Sequence, residues 1–365
     1  MKVMLACGGT GGHIFPAIAI AEELKKRNKK TEVFFAGSDT GMEKDILNKQ
    51  GYRFAGVSAR PFSRSMFVKN IPNLFFNIKA IFDARKLVKE FNPDFVVGTG
   101  GFVSFPVVFS ASRLKKKTLI HEPNMLPGIA NKMLAGFVEH ITTGFEETAA
   151  YFPKQKTTVT GNPTRPSLRG ESRKAGLKAF GLSQAGKTVL VMPGSRAAHM
   201  INETLIKSLE IIENEIKRLQ ILWMCGKADL EKVKVAAKGH KKVRIKAIEF
   251  IHDVNAAYAA SDAGIMRAGA STLSEITALA FPAILVPYPY ATDNHQEKNA
   301  AAFEKRNAGI VIKESALAPE KLAGAIKQIL DKKENSKMRK NLKSMYKGNG
   351  AEKIADIITG EKHAS

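Results

Sequence analysis

A chain of 365 residues with 44% apolar content is long enough to bury two cores, and 57 Lys and Arg against 34 Asp and Glu leave a formal charge of +23. That excess favours an anionic partner such as a phosphorylated substrate, an acidic lipid surface or nucleic acid, although runs such as Lys25-Lys26-Arg27 also read as solvated helix faces. The two cysteines, Cys7 and Cys225, fall in separate predicted strands, which argues against a disulfide framework or a cysteine-rich metal site and fits a reducing cytoplasm.

Met1-Lys2 leads straight into Val3-Met4-Leu5-Ala6 and then glycines with no cleavage pattern, so no secretory leader is expected. No apolar run reaches the roughly 20 residues of a membrane span, and a soluble or peripheral protein is the expectation. The first predicted strand, residues 2–7, hands over to a helix predicted at 17–28, where Ile18, Ile20, Ala21 and Leu24 share a face. Between them lies Gly8-Gly9-Thr10-Gly11-Gly12-His13. Glycines there let backbone N–H groups approach an oxyanion or sugar, and His13 is the nearby side chain able to move a proton near neutral pH. The spacing matches neither a Walker loop nor the dinucleotide fingerprint; a plain strand-to-helix turn remains open on composition alone.

Further strands are predicted at 32–36, 94–98, 118–121 and 140–143. Residues 60–89 interleave Arg60, Arg64, Lys69, Lys79, Arg85, Lys86 and Lys89 with Phe62, Phe67, Phe75, Phe76 and Phe82. Apolar anchors beside cations suit an anionic lipid surface, while Phe75, Phe76 and Phe82 fit an ordinary core face equally well. A glycine loop, residues 98–104, follows the strand at 94–98 and includes Gly100 and Gly101.

After Gly161-Asn162-Pro163 the pattern restarts, with strands predicted at 188–192, 220–225, 243–248, 262–266, 283–287 and 309–312. Strands alternating with helices imply parallel, doubly wound sheets, and two such sets imply two domains. The expected division is 1–163, 164–340 and a C-terminal helix and tail at 341–365. Pro193-Gly194-Ser195-Arg196 ends one strand of the second set, where Ser195 and neighbouring amides can cradle a phosphate. Arg165 and Arg196 can offset more of its charge. Arg267-Ala268-Gly269-Ala270-Ser271-Thr272-Leu273-Ser274-Glu275 ends another, and Glu275 can accept hydrogen bonds from a ribose diol. A helix cap built on Ser271 with Ser274 or Glu275 is the alternative. In residues 293–300, Gln296 and Asn299 share a helix face and suit sugar hydroxyls.

These motifs, together with His121-Glu122-Pro123-Asn124 and Gly161-Asn162-Pro163-Thr164-Arg165, occur in the order found in glycosyltransferase family 28. Over nearly the whole chain the sequence resembles the branch that adds N-acetylglucosamine in peptidoglycan lipid II synthesis. The resemblance implies a GT-B fold, α/β with two Rossmann-like domains facing a deep cleft. It implies transfer, with inversion, of GlcNAc from UDP-GlcNAc to the C4 hydroxyl of undecaprenyl-diphosphate-linked MurNAc-pentapeptide. The implied setting is peripheral binding to an anionic membrane surface at the cytoplasmic face of the bacterial inner membrane, with no nucleic acid partner, no metal and no cofactor.

By the same resemblance His13 is the candidate general base. Thr10, Gly11 and Gly12 lie near the donor sugar or leaving phosphate, and Gly100 and Gly101 lie on the acceptor side. Asn124 contacts GlcNAc, Arg165 and Ser195 hold the diphosphate, and Ile251 meets the uracil through its backbone. Ala270, Ser271 and Thr272 meet the phosphates, Glu275 the ribose, and Gln296 and Asn299 the GlcNAc hydroxyls beside His295. Two departures stand out. Pro193-Gly194-Ser195-Arg196 is similar to lipid A disaccharide synthases, and His252 stands where an acid is common. A lipid A-type transferase, on the Pro193 to Arg196 loop, and a UDP-sugar epimerase, on the shared two-domain architecture, are the alternative readings.

Overall fold

The computed structural model describes residues 1–61, 70–165, 168, 171–194 and 199–361. It divides into two compact units, Met1–Pro166 with Lys347–Ser365, and Ser167–Tyr346. Among the described residues the first unit holds one seven-stranded sheet of β1 (Lys2–Ala6), β2 (Glu32–Ser38), β3 (Arg53–Val57), β4 (Phe95–Gly98), β5 (Lys117–Glu122), β6 (His140–Thr143) and β7 (Thr157–Val159). All pairs are parallel, in the order β3-β2-β1-β4-β5-β6-β7. The helices are α1 (Gly11–Arg27), α2 (Glu43–Lys49), α3 (Asn70–Phe91), α4 (Ser104–Arg113), α5 (Ile129–Leu134) and α6 (Glu146–Ala149).

Side-chain alternation along β1 builds two layers at once. Val3, Leu5 and Cys7 pack with Ile14, Ile18 and Leu24 of α1, whereas Met4 and Ala6 face Ala84 and Val88 of α3 and Val107 of α4. A strand covered on both faces needs a continuous apolar run, which is why β1 is legible in the sequence. The edge strands β3 and β7 are not. Arg53, Phe54, Ala55 and Gly56 are exposed or half-buried, and β7 has only three residues, so neither carries a strong apolar signal.

The second unit repeats the plan with six parallel strands among its described residues, β8 (Lys187–Met192), β9 (Leu219–Met224), β10 (Arg244–Ile248), β11 (Ala263–Met266), β12 (Ala283–Leu285) and β13 (Ile310–Val311), in the order β10-β9-β8-β11-β12-β13. Its helices are α7 (Arg173–Ala179), α8 (His199–Glu215), α9 (Gly226–Gly239), α10 (Val254–Ala260), α11 (Ala270–Ala278), α12 (His295–Lys305), α13 (Pro319–Leu330) and α14 (Lys332–Met345).

The last helix, α15 (Gly350–Thr359), belongs to the first unit rather than to a separate tail beginning at 341. Its Ile354, Ala355 and Ile358 enter the core beside α1, and Arg27 donates to Asp356 at 2.7 Å and to the Glu352 carbonyl at 2.8 Å. In both sheets the strand order reverses once, between β1 and β4 and between β8 and β11. Open α/β sheets bind ligands beyond the carboxyl ends of their strands at such switch points.

Candidate active site

At the β1/β4 switch point the structure moves the start of the first helix forward. The apolar spacing of Ile18, Ile20, Ala21 and Leu24 puts the helix at 17–28; α1 instead begins at Gly11 and carries Pro16 within it. His13 therefore sits in the first turn of α1, not in a loop. Thr10 is the N-cap in extended conformation, yet its side chain caps no amide, and the first turn has no acidic residue. The Gly11 and Gly12 amides at this helix start have no intrahelical acceptor, the condition for receiving an anion.

The bond from Nδ1 sets the tautomer of His13. Its Nδ1 lies 3.0 Å from the Gly8 carbonyl oxygen, which can only accept, so Nδ1 carries the proton and Nε2 of the neutral ring is the basic nitrogen. The Thr10 hydroxyl lies 3.4 Å from the same Nδ1, and the His13 carbonyl accepts from Thr99 Oγ1 at 2.7 Å. Gly100 and Gly101 close over the ring with φ of +104° and +84°. A Cβ on Gly100 would stand 2.6 Å from His13 Cδ2, and one on Gly101 would collide with the Gly8 carbonyl that holds the imidazole. Ser104 braces this loop by donating to the Ala6 and Gly100 carbonyls at 3.1 and 2.8 Å. The sequence reading named the loop but missed Thr99 and Ser104 as its supports.

Next to β4, the end of β5 carries His121-Glu122-Pro123-Asn124. His121 is fully buried between Thr142 Oγ1 at 3.0 Å and Asn162 Oδ1 at 2.9 Å. Because Asn162 Nδ2 donates to the Pro123 carbonyl at 3.0 Å, its Oδ1 faces His121 and fixes the ring with hydrogen on Nε2. Burial, with a smaller contribution from neighbouring His13, lowers His121 to about 4 against the pull of the Asn162 bond. Glu122 is also buried. Its carboxylate accepts from the amides of Asn124 and Gly128 and the side chains of Asn124 and Asn131, at 2.8–3.2 Å. Burial nevertheless holds its pKa above the ordinary carboxylate value. His121 and Glu122 thus build the loop that presents half-buried Asn124. Half-buried Arg165 lies 4.4 Å over the Phe15 ring of α1.

Glu43, the first residue of α2, carried no sequence signal. It is fully buried, and Oε1 accepts from the Ser38 amide at 2.6 Å. Oε2 has no partner among the described residues. A Cβ on Gly8 would come 2.6 Å from Oε1, so this carboxylate packs beneath the glycine loop.

At the β8/β11 switch point of the second unit, α11 also begins uncapped. Gly269 is the N-cap, no side chain caps the helix, and its first turn has no acid. The capping alternative is overturned: Ser274 donates backward to the Ala270 carbonyl at 2.6 Å, and the buried Ser271 hydroxyl has no partner among the described residues. The Ala270, Ser271 and Thr272 amides with that hydroxyl form a ready anion cradle. Glu275, one turn on and half-buried, accepts from the Tyr258 hydroxyl at 2.9 Å.

Arg267 is buried. It lies 2.5 Å from Glu314 and donates to the Val286 and Pro287 carbonyls, holding the segment that leads to α12. There Gln296 Oε1 accepts from the Tyr288 amide at 3.0 Å. Asn299 is fully buried and donates to the Ala268 carbonyl at 3.2 Å, which ties α12 to the α11 loop. His295 opens α12 and is half-buried. Ile251 is buried two residues before Asp253, the N-cap of α10. Ser195 and Arg196 lie outside the described residues, as do Phe62, Arg64, Phe67 and Lys69. Among the described residues one group, His199, Glu203 and Asp229, offers metal-ligand atoms within 4.8 Å of one another. Lys232 already meets Glu203 at 2.5 Å and Asn202 meets Asp229 at 2.7 Å.

Residues 3–143 match the glycosyltransferase family 28 N-terminal domain and residues 188–358 its C-terminal domain. The fold and these matches define the class: the chain is a GT-B glycosyltransferase with two Rossmann-like domains. A relative from Halothermothrix orenii, described as UDP-N-acetylglucosamine--N-acetylmuramyl-(pentapeptide) pyrophosphoryl-undecaprenol N-acetylglucosamine transferase, is 42% identical over 356 residues and 95% of each chain. One of the same description from Bacillus licheniformis is 36% identical over 367 residues, 100% of this chain and 99% of the relative. The crystal structure of MurG from Acinetobacter baumannii superposes with a TM-score of 0.79 at 27% identity, covering 98% of this chain and 99% of that one. The chain belongs to the MurG family of N-acetylglucosamine transferases.

Proposed function

We propose that the protein transfers GlcNAc from UDP-GlcNAc to the C4 hydroxyl of MurNAc-pentapeptide on undecaprenyl diphosphate. The full-length identity to transferases of that description favours this over a lipid A-type transferase or an epimerase. The observation that carries the chemistry is His13, whose Nδ1–H donates to Gly8 and leaves Nε2 as the basic atom. In the proposed step the acceptor C4 oxygen attacks the anomeric carbon while its proton passes to His13 Nε2. The bond from C1 to the UDP oxygen breaks with inversion, and the electron pair leaves on UDP. A base of this kind contributes about 10²–10⁴-fold.

The second unit holds the nucleotide. The open amides of α11 and the Ser271 hydroxyl receive phosphate oxygens, Glu275 the ribose diol and the Ile251 backbone the uracil. Gln296 meets GlcNAc through its amide nitrogen. Buried Asn299 supports that contact by tying α12 to the Ala268 carbonyl, with His295 beside it. Thr10, Gly11, Gly12, Asn124 and Arg165 serve the sugar and the leaving phosphate from the first unit, where Gly100 and Gly101 shape the acceptor side.

Peripheral membrane binding is proposed on α3, where Phe75 and Phe82 are 73% and 67% exposed and Phe76 and Ile78 are also exposed, among Lys79, Lys86 and Lys89. No helix of the described residues is long and apolar enough to cross a membrane. The test is transfer of radiolabelled GlcNAc from UDP-GlcNAc to a short-chain lipid I analogue, with UDP release followed in parallel. Labelled lipid II analogue supports the reading. Turnover only with an acylated UDP-glucosamine and a lipid X-like acceptor overturns it.

A further inference from the structure

Tyr258 is a buried polar residue with one conspicuous partner. It sits on α10 at 4% exposure, its ring edge-on to Phe281 with centroids 5.0 Å apart and planes at 80°. Its hydroxyl donates to Glu275 Oε2 at 2.9 Å and lies 3.9 Å from the Met266 sulfur. A buried phenol keeps its hydroxyl only where a partner answers it, and a phenylalanine would fill the same apolar slot. Burial first, then the Glu275 charge, raise the Tyr258 phenol well above its ordinary value, so it remains a donor across the working pH range.

We infer that Tyr258 is a positioning residue that sets the plane of the Glu275 carboxylate for a vicinal diol, acting through Glu275 without touching the nucleotide. The inference rests on the ribose role proposed for Glu275. The hydroxyl of Tyr258 engages Oε2 from one side, so the carboxylate is held against rotation before ligand arrives. A carboxylate with two oriented oxygens accepts from two adjacent hydroxyls at once, whereas a rotating one must be ordered on binding. The same helix begins at the Asp253 cap, two residues after Ile251, and Asp253 accepts from the Ala256 amide at 3.0 Å. One short, capped helix therefore joins the segment proposed for the base to the residue that orients the ribose ligand.

The experiment is a binding cycle with two probes, UDP and 2′,3′-dideoxy-UDP, on wild type, Y258F, E275A and the double variant. Y258F is expected to weaken UDP roughly tenfold, the scale of a hydrogen bond to a charged group, and to leave dideoxy-UDP within about twofold of wild type. The double variant is expected to bind UDP no worse than E275A. The ratio of two affinities on one variant cancels any change in its folded fraction, so a merely structural role leaves the ratio unmoved. Equal loss for both nucleotides in Y258F, or loss for neither, beside an E275A that discriminates between them, overturns the role of Tyr258 alone. An E275A that treats the two nucleotides alike overturns the ribose assignment and this inference with it.

Discussion

His121 makes the stability of this protein depend on pH in a way that can be calculated. Its folded value is about 4 against 6.5 for an unperturbed ring, with burial as the main cause. Above pH 6.5 both folded and unfolded chains carry it neutral, and it adds no pH dependence. Between 6.5 and about 4 the unfolded ring takes a proton that the folded ring refuses, so stability falls as pH falls. The slope is about 1.4 kcal/mol per unit, or about 2 kcal/mol between pH 7 and pH 5. H121Q keeps an amide N–H to offer Asn162 but cannot titrate. It should cost about 1 kcal/mol at pH 7 through the lost Thr142 contact. Urea unfolding of both proteins at pH 7, 6 and 5, followed by circular dichroism, gives the difference in stability free of groups common to both. That difference should shrink and change sign by pH 5. A difference that stays constant, or grows as the solution is acidified, refutes a buried neutral His121.

H13Q should lower kcat by about 10²–10⁴-fold while leaving the Kd for UDP-GlcNAc within a factor of about two, measured by transfer kinetics and calorimetry. S271A removes a buried hydroxyl with no partner among the described residues, so its melting temperature should hold or rise, while UDP affinity falls by about 2- to 10-fold as a phosphate contact is lost. G101A forces a Cβ against the Gly8 carbonyl and should lose most activity, because relief requires moving the acceptor of the His13 Nδ1 bond. Replacing Phe75 and Phe82 by serine should release the protein from anionic vesicles in a sedimentation assay, roughly tenfold per residue, without slowing transfer to a soluble acceptor.

What the sequence made legible follows from how each residue does its work. β1 and β9 are buried on both faces and advertise themselves as apolar runs, and glycine loops at the ends of β1 and β4 mark close backbone approach. Helix starts were harder to read, because the absence of a cap is the signal. Ser271 and Thr10 are good capping residues by type, and only coordinates reveal that neither side chain is used that way. The supports were hidden for a different reason. Glu43 packs beneath Gly8, 35 residues before it, and Tyr258 meets Glu275, 17 residues after it, and an isolated Glu or Tyr has no periodicity to betray it. Asn299 adds the converse case. Its spacing from Gln296 suggests a shared binding face, yet Asn299 is fully buried and donates to the Ala268 carbonyl, while Gln296 is half-buried, so helical spacing alone does not give the two residues one environment. A functional motif read from sequence is in this sense a mixture of contacting and supporting residues, and burial is what separates them. By that criterion the buried His121, Glu122, Arg267 and Asn299 read as scaffold, and half-buried His13, Asn124 and Glu275 are the residues proposed to meet the substrates.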